Sequence, residues 1–445
     1  MNNRFQRLLL LAHTFVIAAL CGALPAQAGE PLQLTINGSN TVGARLAPML
    51  VQGMLQEAEV SNLQVELNQR SREHQLSGVD KTLGPLRIRI NAHGSSTGFR
   101  GLLDRSGQIA ASSRPIRDAE VSQLTGAGNM RSVQAEQIIG LDGLAIIVHP
   151  DNQLRELSVQ QLADIFSGRI DNWQQLGGEA GAISIYARDH NSGTWETFSE
   201  LVLSPYQLEL HAKARRYKSN SDLSRDVSSD IHGIGFVGLD SIGAARALAI
   251  SAGDSHAMLP TRELVATEDY PLTRRLYLYL RPDEDNRLAR QLISFTQSLA
   301  GQQLVDESGF VGQNLKAISV PARADMPVKY RELADNAQRL SVNFRFAEGS
   351  AQLDNKARQD IERLLAYLRE HNKGIDRVVL VGFGDPGRRN AGLRSRLRAS
   401  AVSLALTSNG IAVKDFFGLA DQIPVADNST DNGRIKNRRV EVWVY

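Results

Sequence analysis

The clearest pattern along the first two thirds of the chain is a repeat of alternating apolar and polar positions, a polar turn and a helical apolar stripe. Alternation with a period of two is typical of a strand with one buried face, whereas spacing of three or four is typical of an amphipathic helix. The alternating runs are residues 32–36, 86–90 and 183–186. The turns that follow them are residues 38–41, 94–98 and 191–194. Repetition of strand, turn and helix predicts an α/β fold.

A second unit begins near Leu340, after a segment with little periodicity. Residues 319–335 contain Pro321 and Pro327 among several charges, and we interpret them as a linker. The pattern beyond it predicts a short strand first, then helices over 354–370 and about 394–408, and strands over 378–381 and 440–445. This order predicts a small α+β domain of βαβαβ type at residues 336–445.

The amino terminus has the order of an export signal. Arg4 and Arg7 precede an apolar stretch over residues 8–20, and residues 26–28, Ala-Gln-Ala, fit the cleavage pattern. The apolar stretch is too short for a comfortable membrane span, which disfavours an anchor. We therefore expect a signal peptide at residues 1–28, cleavage after Ala28, and a periplasmic protein associated with the cell wall or outer membrane.

The single cysteine of the chain, Cys21, lies in this signal, so the expected mature chain has none and forms no disulfide. Leu20 precedes Cys21 where a lipoprotein signal has a small residue, and we therefore favour simple cleavage over lipidation.

Length and charge both divide the chain. Its 445 residues exceed one ordinary core, so two or three domains are expected. Residues 336–445 hold 18 basic and 12 acidic side chains, a net charge of +6, whereas residues 29–335 carry a net charge of −6. This asymmetry indicates two units with different partners. A basic domain is compatible with nucleic acid, but export makes an acidic wall polymer the simpler partner.

The three turns carry hydroxyl side chains where helices are predicted to begin. Free backbone N–H groups and the positive end of the helix dipole bind anions at such places. For one turn alone, an ordinary helix N-cap is the better interpretation. Arg188, four residues before Ser192, is placed to add a charge-assisted pair, and together these features favour an oxyanion site. The hydroxyl residues are Ser39, Thr41, Ser95, Ser96, Thr97, Ser192 and Thr194.

Seven segments of the first unit form a specific pattern. They are residues 37–42 (Asn-Gly-Ser-Asn-Thr-Val), 94–98, 111–115 (Ala-Ser-Ser-Arg-Pro), 140–144, 162–173, Arg188 with 192–194 (Ser-Gly-Thr), and 233–238. On these segments residues 30–318 resemble the periplasmic phosphate-binding protein of the ABC phosphate importer. We interpret residues 162–173 as scaffold, with Phe166 and Trp173 packed in a core.

The resemblance implies a type II-like periplasmic binding-protein fold at residues 29–318, with two α/β lobes that close on a dehydrated anion. It implies inorganic phosphate as the ligand and an ABC permease as a partner. The candidate phosphate-binding residues, from the turns and the resemblance together, are Ser39, Thr41, Val42, Ser95, Ser96, Ser113, Arg114, Arg188, Ser192, Gly193 and Thr194.

Ser113 departs from the family pattern, which has an aspartate there to accept the proton of hydrogen phosphate. A buried carboxylate rejects sulfate by repulsion and an unpaired charge, and a serine carries no such charge. The neighbouring Arg114 has two interpretations, a second anion ligand, which we favour slightly, or a structural ion pair. Phosphate stays the favoured ligand, and selectivity against sulfate is left open.

The last unit resembles the OmpA-like peptidoglycan-binding domain, through residues 342–346, 382–385 and 437–441 and a helix with Arg398. In that family an aspartate and an arginine hold the amine and the carboxylate of diaminopimelate in the stem peptide, because a zwitterion needs both charges nearby. Asp385 and Arg398 match these roles. Phe383 and Gly384 replace the usual histidine and threonine, and the turn after Asp385 is shorter than usual, which leaves wall binding open.

The leading hypothesis is a binding protein that captures phosphate and is held on peptidoglycan, in phosphate uptake or sensing. The alternatives are a broader oxyanion receptor, for example for sulfate, and a structural wall protein with a degenerate binding domain. An enzyme is disfavoured because no metal-ligand motif occurs among the 9 histidines and no Gly-x-Ser-x-Gly elbow stands out. We expect no catalytic residue, metal, cofactor or nucleic-acid partner.

Overall fold

The computed structural model describes residues 30–68, 71, 73–190, 192–346, 352–373, 377–384 and 390–445. The export signal expected at 1–28 lies outside these residues. Within them the strands are β1 (Leu32–Gly38), β2 (Ser61–Asn68), β3 (Glu73–Asp80), β4 (Gly84–Ala92), β5 (Ile109–Ser112), β6 (Glu136–Val148), β7 (Glu156–Ser158), β8 (Ser184–Arg188), β9 (Arg215–Tyr217), β10 (Gly233–Gly238), β11 (Arg246–Ala247), β12 (Ala249–Ser251), β13 (Thr273–Leu280), β14 (Ala317–Ile318), β15 (Gln338–Arg345), β16 (Val378–Gly382), β17 (Val413–Gly418) and β18 (Arg439–Val444).

The helices of the same residues are α1 (Ala47–Glu57), α2 (Ser95–Leu103), α3 (Asp118–Gln123), α4 (Val159–Ser167), α5 (Gly193–Phe198), α6 (Asn220–Ser228), α7 (Arg262–Ala266), α8 (Arg287–Gln297), α9 (Leu299–Glu307), α10 (Val328–Asn336), α11 (Asn355–Glu370), α12 (Ala391–Ser408) and α13 (Asp431–Asn437). Two π-helical turns extend α1 and α5, Val42–Leu46 before α1 and Ser199–Leu203 after α5. In the described part of the chain, no helix combines the length and the apolar character that crossing a bilayer requires.

A continuous sheet runs through both lobes of the first domain, in the order β2-β3-β4-β1-β5-β13-β6-β10-β8-β9. The long strand β6 belongs to both lobes, because residues 136–143 pair with β13 and residues 144–148 pair with β10. The chain comes back from the second lobe through residues 267–272, here named the return segment, and enters β13. The strand β6 and the return segment are therefore the connections between the lobes.

Each lobe has its own apolar core. In the first lobe the inward residues of β1 and β4, such as Leu34 and Ile88, pack against helices α1 and α8. In the second lobe Phe198 and Phe236 stack with ring centroids 3.9 Å apart, beside the fully buried Phe166. Trp173 is 3% exposed in the same core. The interpretation of Phe166 and Trp173 as scaffold is confirmed.

The predicted strand–turn–helix units are confirmed in three places. The alternating runs form β1, β4 and β8, and each ends at a turn that leads into a helix. The predicted two-lobed α/β fold, followed by a small α+β domain, is confirmed as well.

The C-terminal domain is a mixed sheet with helices on both faces, in the strand order β14-β15-β18-β16-β17. Helices α11 and α12 cover one face and bury residues such as Leu364 and Val402. Helix α10 covers the other face, where Tyr330 and Leu333 pack with Trp443.

The expected linker at residues 319–335 needs correction, because most of its second half is helix α10. This helix is an integral layer of the C-terminal domain, with Tyr330 2% and Leu333 4% exposed. Pro327 is the N-cap of the helix, a place where proline is tolerated because the first N–H groups have no partner within the helix. Residues 317–318, assigned from sequence to the end of the first domain, form β14 and pair instead with β15 of the second.

The C-terminal domain is docked on the return segment between the two lobes. Asn343 donates through Nδ2 to the Thr267 carbonyl and to Asp269 Oδ1, both at 2.8 Å. Arg345 donates to the same Thr267 carbonyl at 3.1 Å, and Lys436 donates to the Pro271 carbonyl at 3.0 Å. The alternation of β15 therefore directs its apolar residues into its own core and its polar residues onto the first domain.

Buried charges complete this contact. Arg339 Nη2 lies 2.6 Å from Asp269 Oδ2, and Asp269 is 1% exposed. Burial alone would raise the pKa of Asp269, but the charges of Arg339, Arg439 and Arg345 outweigh it and hold the pKa below its ordinary value. Burial and the charge of Arg345 lower the pKa of Lys436 to about 8.

Candidate functional site

The three hydroxyl-bearing turns are named here the first (residues 38–41), second (94–98) and third (191–194) anion turns. The first anion turn follows the end of β1. The Gly38 carbonyl accepts N–H groups from His93 and Gly94, at 2.9 and 2.7 Å, which joins the turn to the end of β4. A β-carbon on Gly38, whose φ is +141°, would lie 2.0 Å from the Ala111 carbonyl oxygen, so this position requires glycine. The turn is thereby fixed at the carboxyl ends of neighbouring strands.

Ser39 caps the helical residues that follow this turn. Its Oγ accepts the N–H of Thr41 at 3.1 Å, and Ser39 is fully buried. Thr41 is 9% exposed and Val42 is fully buried. The N-cap role considered for Ser39 is thus present, and the hydroxyl of Thr41 is the polar side-chain group that this turn presents towards the second lobe.

The second anion turn brings together two predicted residues that lie 18 positions apart in sequence. Ser95 begins α2, and its Oγ lies 3.2 Å from Ser113 Oγ, at the end of β5. The N–H of Ser113 also donates to Ser95 Oγ at 3.3 Å. Both serines are at most 3% exposed, so their hydroxyls form a buried pair, and position 113 contributes a hydroxyl rather than a carboxylate.

Arg114 is engaged in an ion pair at the edge of this turn. Its two Nη atoms lie 2.9 and 2.7 Å from the carboxylate of Glu120, and Nη2 also donates to Ser96 Oγ at 3.1 Å. Burial alone would raise the pKa of Glu120, but hydrogen bonds from Arg114 and Arg117 outweigh it and lower the pKa. Of the two roles considered for Arg114, the ion pair is present, and the role as anion ligand stays a prediction.

The third anion turn precedes α5 in the second lobe. Ser192 is the N-cap, and its Oγ accepts the N–H groups of Thr194 at 3.1 Å and Trp195 at 3.4 Å. Arg188, at the end of β8, is 3.5 Å through Nη1 from Thr194 Oγ1. Arg188 therefore lies at the turn where the sequence placed it.

The guanidinium of Arg188 also holds the loop after β9. It donates to the carbonyls of Tyr217 at 3.2 Å and Lys218 at 2.9 Å, and it contacts the Asn220 side chain. Burial lowers the pKa of Arg188, because its charged form loses hydration. Arg188 consequently fixes this loop beside the third turn, and its role as an anion ligand stays a prediction.

The first and third turns meet across the cleft. A β-carbon built on Gly193 would lie 2.2 Å from Thr41 Oγ1 and 2.7 Å from Thr41 Cα. The two lobes are therefore closed on each other at this point, and the second turn adjoins the first through the bond from the Gly94 N–H to the Gly38 carbonyl.

Sequence reasoning missed a buried polar group beside this contact. Arg274, on β13 opposite Asp142 of β6, donates through Nη2 to Thr41 Oγ1 at 2.7 Å and to the Gly193 carbonyl at 3.0 Å. Glu200 lies 3.6 Å from Arg274 Nη1, and burial raises the pKa of this carboxyl despite the opposite charge. The sequence did contain a signal for it. Thr273–Leu280 is an apolar strand except for two arginines, and charges inside a sheet are rarely unpaired, so each arginine implies a buried partner.

In the C-terminal domain, Arg398 projects from α12 towards the end of β16. Its Nη1 donates to the Phe383 carbonyl at 3.1 Å, and a β-carbon on Gly384 would lie 3.1 Å from Nη1. Arg398 is thus next to the segment that leads into Asp385, which itself lies outside the described residues. In the described parts of both domains, no group of three or more His, Cys, Asp or Glu side chains is arranged to hold a metal ion.

Comparison with known families gives two matches that divide the chain as its pattern does. A family model described as PBP superfamily domain matches residues 26–299. A model described as OmpA family matches residues 345–438.

Curated relatives match the first domain. The phosphate-binding protein PstS of Borreliella burgdorferi is 29% identical over 231 residues, which cover 51% of this chain and 80% of that protein. The phosphate-binding protein PstS of Pseudomonas aeruginosa is 26% identical over 241 residues, which cover 50% of this chain and 73% of that protein.

A solved structure agrees in fold. The crystal structure of a possible phosphate binding protein from Planctomyces limnophilus superposes with a TM-score of 0.50 at 18% identity, over 68% of this chain and 96% of that chain.

Proposed function

Since this chain belongs to the PBP superfamily through residues 26–299 and carries an OmpA family domain at 345–438, we propose that it is an envelope receptor for inorganic phosphate. The observation that carries the proposal is the contact of the first and third turns across the closed cleft, at Thr41 and Gly193, with the second turn joined to the first through the Gly38 carbonyl. The names of the curated relatives support phosphate as the anion.

The chemistry of the cleft suits an oxyanion stripped of water. The donors are hydroxyl groups, helix N-terminal N–H groups and arginines, and these groups bind a tetrahedral anion by hydrogen bonds from several directions. The ligand set we propose is the one predicted from sequence, with Arg188 at the third turn and Ser95 with Ser113 at the second.

A second candidate function is a broader oxyanion receptor, and the buried pair of Ser95 and Ser113 favours it. A hydroxyl pair accepts a hydrogen bond from the proton of hydrogen phosphate, but it does not repel sulfate. Selectivity between the two anions then depends on one hydrogen bond rather than on a charge.

For the C-terminal domain we propose binding to the peptidoglycan stem peptide, through Asp385 and Arg398. The OmpA family match and the position of Arg398 beside Phe383 support this assignment. The receptor would then be a periplasmic protein, exported by a signal cleaved after Ala28 and held at the wall, where it serves phosphate uptake or sensing, with an ABC permease as a partner. Binding and release without catalysis is the proposed activity.

Calorimetry on the mature full-length chain, freed of phosphate, tests the proposal. Phosphate and then sulfate are titrated into the wild type and into Arg188→Ala. Phosphate binding that is lost in the variant supports the receptor, and equal binding of sulfate supports the broader oxyanion function. If neither anion binds to the folded wild type, the receptor proposal is wrong.

A further inference from the structure

The side chain of Arg274 lies where the two lobes and their connections meet. Arg274 is 8% exposed, and its backbone is opposite Asp142 of β6, one of the strands that joins the lobes. Its neighbour Arg275 points the other way, to Glu268 and to Asp354 of the C-terminal domain, as expected for consecutive strand residues. Arg274 is therefore the one of this pair that belongs to the cleft.

One nitrogen of Arg274 bonds to both lobes at once. Nη2 donates to Thr41 Oγ1 of the first lobe at 2.7 Å and to the Gly193 carbonyl of the second lobe at 3.0 Å. Both acceptors are in anion turns, and they are in mutual contact. In the closed arrangement of the structure, this nitrogen therefore joins the two lobes directly.

The other nitrogens of the guanidinium hold its orientation. Nε donates to Asp142 Oδ2 at 3.2 Å, and the same oxygen accepts the Thr197 hydroxyl at 3.1 Å. Nη1 faces Glu200 at 3.6 Å and has no hydrogen-bond partner among the described residues. Since Asp142 is 6% exposed, this charge pair is held in a low-dielectric setting where its geometry is strongly defined.

A hydroxyl group has one hydrogen to donate and two lone pairs to accept with. When Thr41 Oγ1 accepts from Arg274, its own hydrogen is left to point elsewhere, and polarisation by the cation strengthens it as a donor. On the other side of the cleft, the bond to the Gly193 carbonyl fixes the peptide unit that leads into the N–H of Thr194. Arg274 thus contributes to the orientation of both turns, together with Ser192, whose Oγ accepts the N–H of Thr194 at 3.1 Å.

We propose that Arg274 is a positioning residue of the anion site, which orients the Thr41 hydroxyl and the Gly193 peptide towards the bound anion and links that orientation to lobe closure. The proposal rests on the proposed function of the cleft. It assigns to Arg274 no direct contact with the anion.

The test is a double-mutant cycle measured by calorimetry with inorganic phosphate on the mature full-length chain. The variants are Arg274→Met, Thr41→Val and their combination. Arg274→Met is expected to weaken phosphate binding roughly 10- to 100-fold, the loss that follows removal of a charged hydrogen-bond donor. Because Arg274 acts partly through Thr41, the loss of affinity in the double variant is expected to be clearly smaller than the sum of the two single losses.

Arg281→Met is the matched control. Arg281 is equally buried, at 8% exposed, and it pairs with Asp283 at 2.8 Å, but it contacts the first lobe alone. Its loss is expected to lower stability without changing phosphate affinity. Arg274→Lys keeps the charge but has no second nitrogen to pair with Asp142 while the first bonds to both lobes, so an affinity between those of the wild type and Arg274→Met is expected.

Fully additive losses in the cycle, or an equal loss of affinity in Arg281→Met, would overturn the proposal. A second measurement distinguishes failure of the positioning role from failure of the proposed receptor function. Amide hydrogen exchange of the phosphate-free chain is expected to rise at residues 40–42 and 193–195 in Arg274→Met, and to stay unchanged there in Arg281→Met. If the wild type binds no phosphate, the receptor proposal is wrong, and unchanged exchange in Arg274→Met would still refute the positioning role.

Discussion

Thr41 and Gly193 lie in contact, although they are 152 positions apart in the sequence and belong to different lobes. The space next to Gly193 Cα, where a side chain would begin, is occupied by the Thr41 hydroxyl, 2.2 Å from an ideal β-carbon. Each residue belongs to an anion turn of a different lobe. The absence of a side chain at position 193 is therefore a condition for closure of the lobes.

Gly193→Ala is expected to weaken phosphate binding roughly 10- to 100-fold, because forcing a methyl group into a packed contact costs about 1–3 kcal/mol in the closed state alone. Gly126→Ala, where the added carbon has nothing within 4 Å, is the control and should bind as the wild type does. Calorimetry measures both. Unchanged affinity in Gly193→Ala would mean that the ligand-bound lobes are held further apart.

Ser113→Asp is expected to raise the preference for phosphate over sulfate by on the order of 100-fold or more, because a buried carboxylate accepts the phosphate proton and repels sulfate. Ser113 is 1% exposed, so solvent would not screen the new charge. Competition calorimetry with both anions is the measurement. Ser113→Ala, which removes the hydroxyl without adding a charge, should lose affinity without this gain in selectivity.

Arg398→Ala is expected to reduce binding of the full chain to isolated peptidoglycan sacculi by about tenfold or more, because it removes the cation proposed to hold the stem-peptide carboxylate. Arg396→Ala, an exposed arginine on the same helix, is the control. Co-sedimentation with sacculi measures both variants. Equal losses would indicate non-specific attraction between a basic helix and an acidic polymer.

Lys436→Met is expected to change how stability depends on pH. The folded pKa of Lys436 is lowered to about 8 from 10.5, by burial and the charge of Arg345, so between these values the unfolded chain binds more protons. Stability from this group therefore rises with pH in that window. Over this pH window, the free energy of unfolding of the wild type should rise by up to about 3 kcal/mol relative to that of Lys436→Met. Urea unfolding of both proteins between about pH 7 and pH 10 measures this difference in stability. A difference that does not change with pH would show that the pKa of the Lys436 amine is not lowered.

Asp269→Asn is expected to lower the free energy of unfolding by about 3–5 kcal/mol, because Arg339 and its neighbouring guanidiniums lose a buried counter-charge. Asp325→Asn breaks an exposed pair with Arg323 and should leave the free energy of unfolding almost unchanged. Urea unfolding compares the two variants. Similar small losses in both would mean that water reaches the contact between the domains.

The architecture was predictable from sequence because it depends on local patterns. Alternation and turn chemistry identified β1, β4 and β8 with their helices. The linker interpretation was wrong over α10, although Met326, Tyr330 and Leu333 have the spacing of one helical face. The prolines and charges masked this short stripe, and Pro327 marks the start of the helix rather than the end of structure.

The candidate site was predictable only in part. Each hydroxyl-bearing turn is a contiguous stretch of sequence, so all of its residues could be identified from the local pattern. Arg274 depends on partners 132 and 233 positions away, Asp142 and Thr41, so no local spacing indicates it. The same holds for Asp269, whose cations come from another domain.

The docking of the C-terminal domain on the return segment decides how far this protein is modular. A fragment cut before α10 would keep Asp269 and the Thr267 carbonyl but lose Arg339, Asn343 and the other groups that satisfy them. The complementary fragment would keep buried arginines without that carboxylate. The two domains therefore depend on each other for their buried polar groups, and neither can be exchanged for a relative without rebuilding the other's surface.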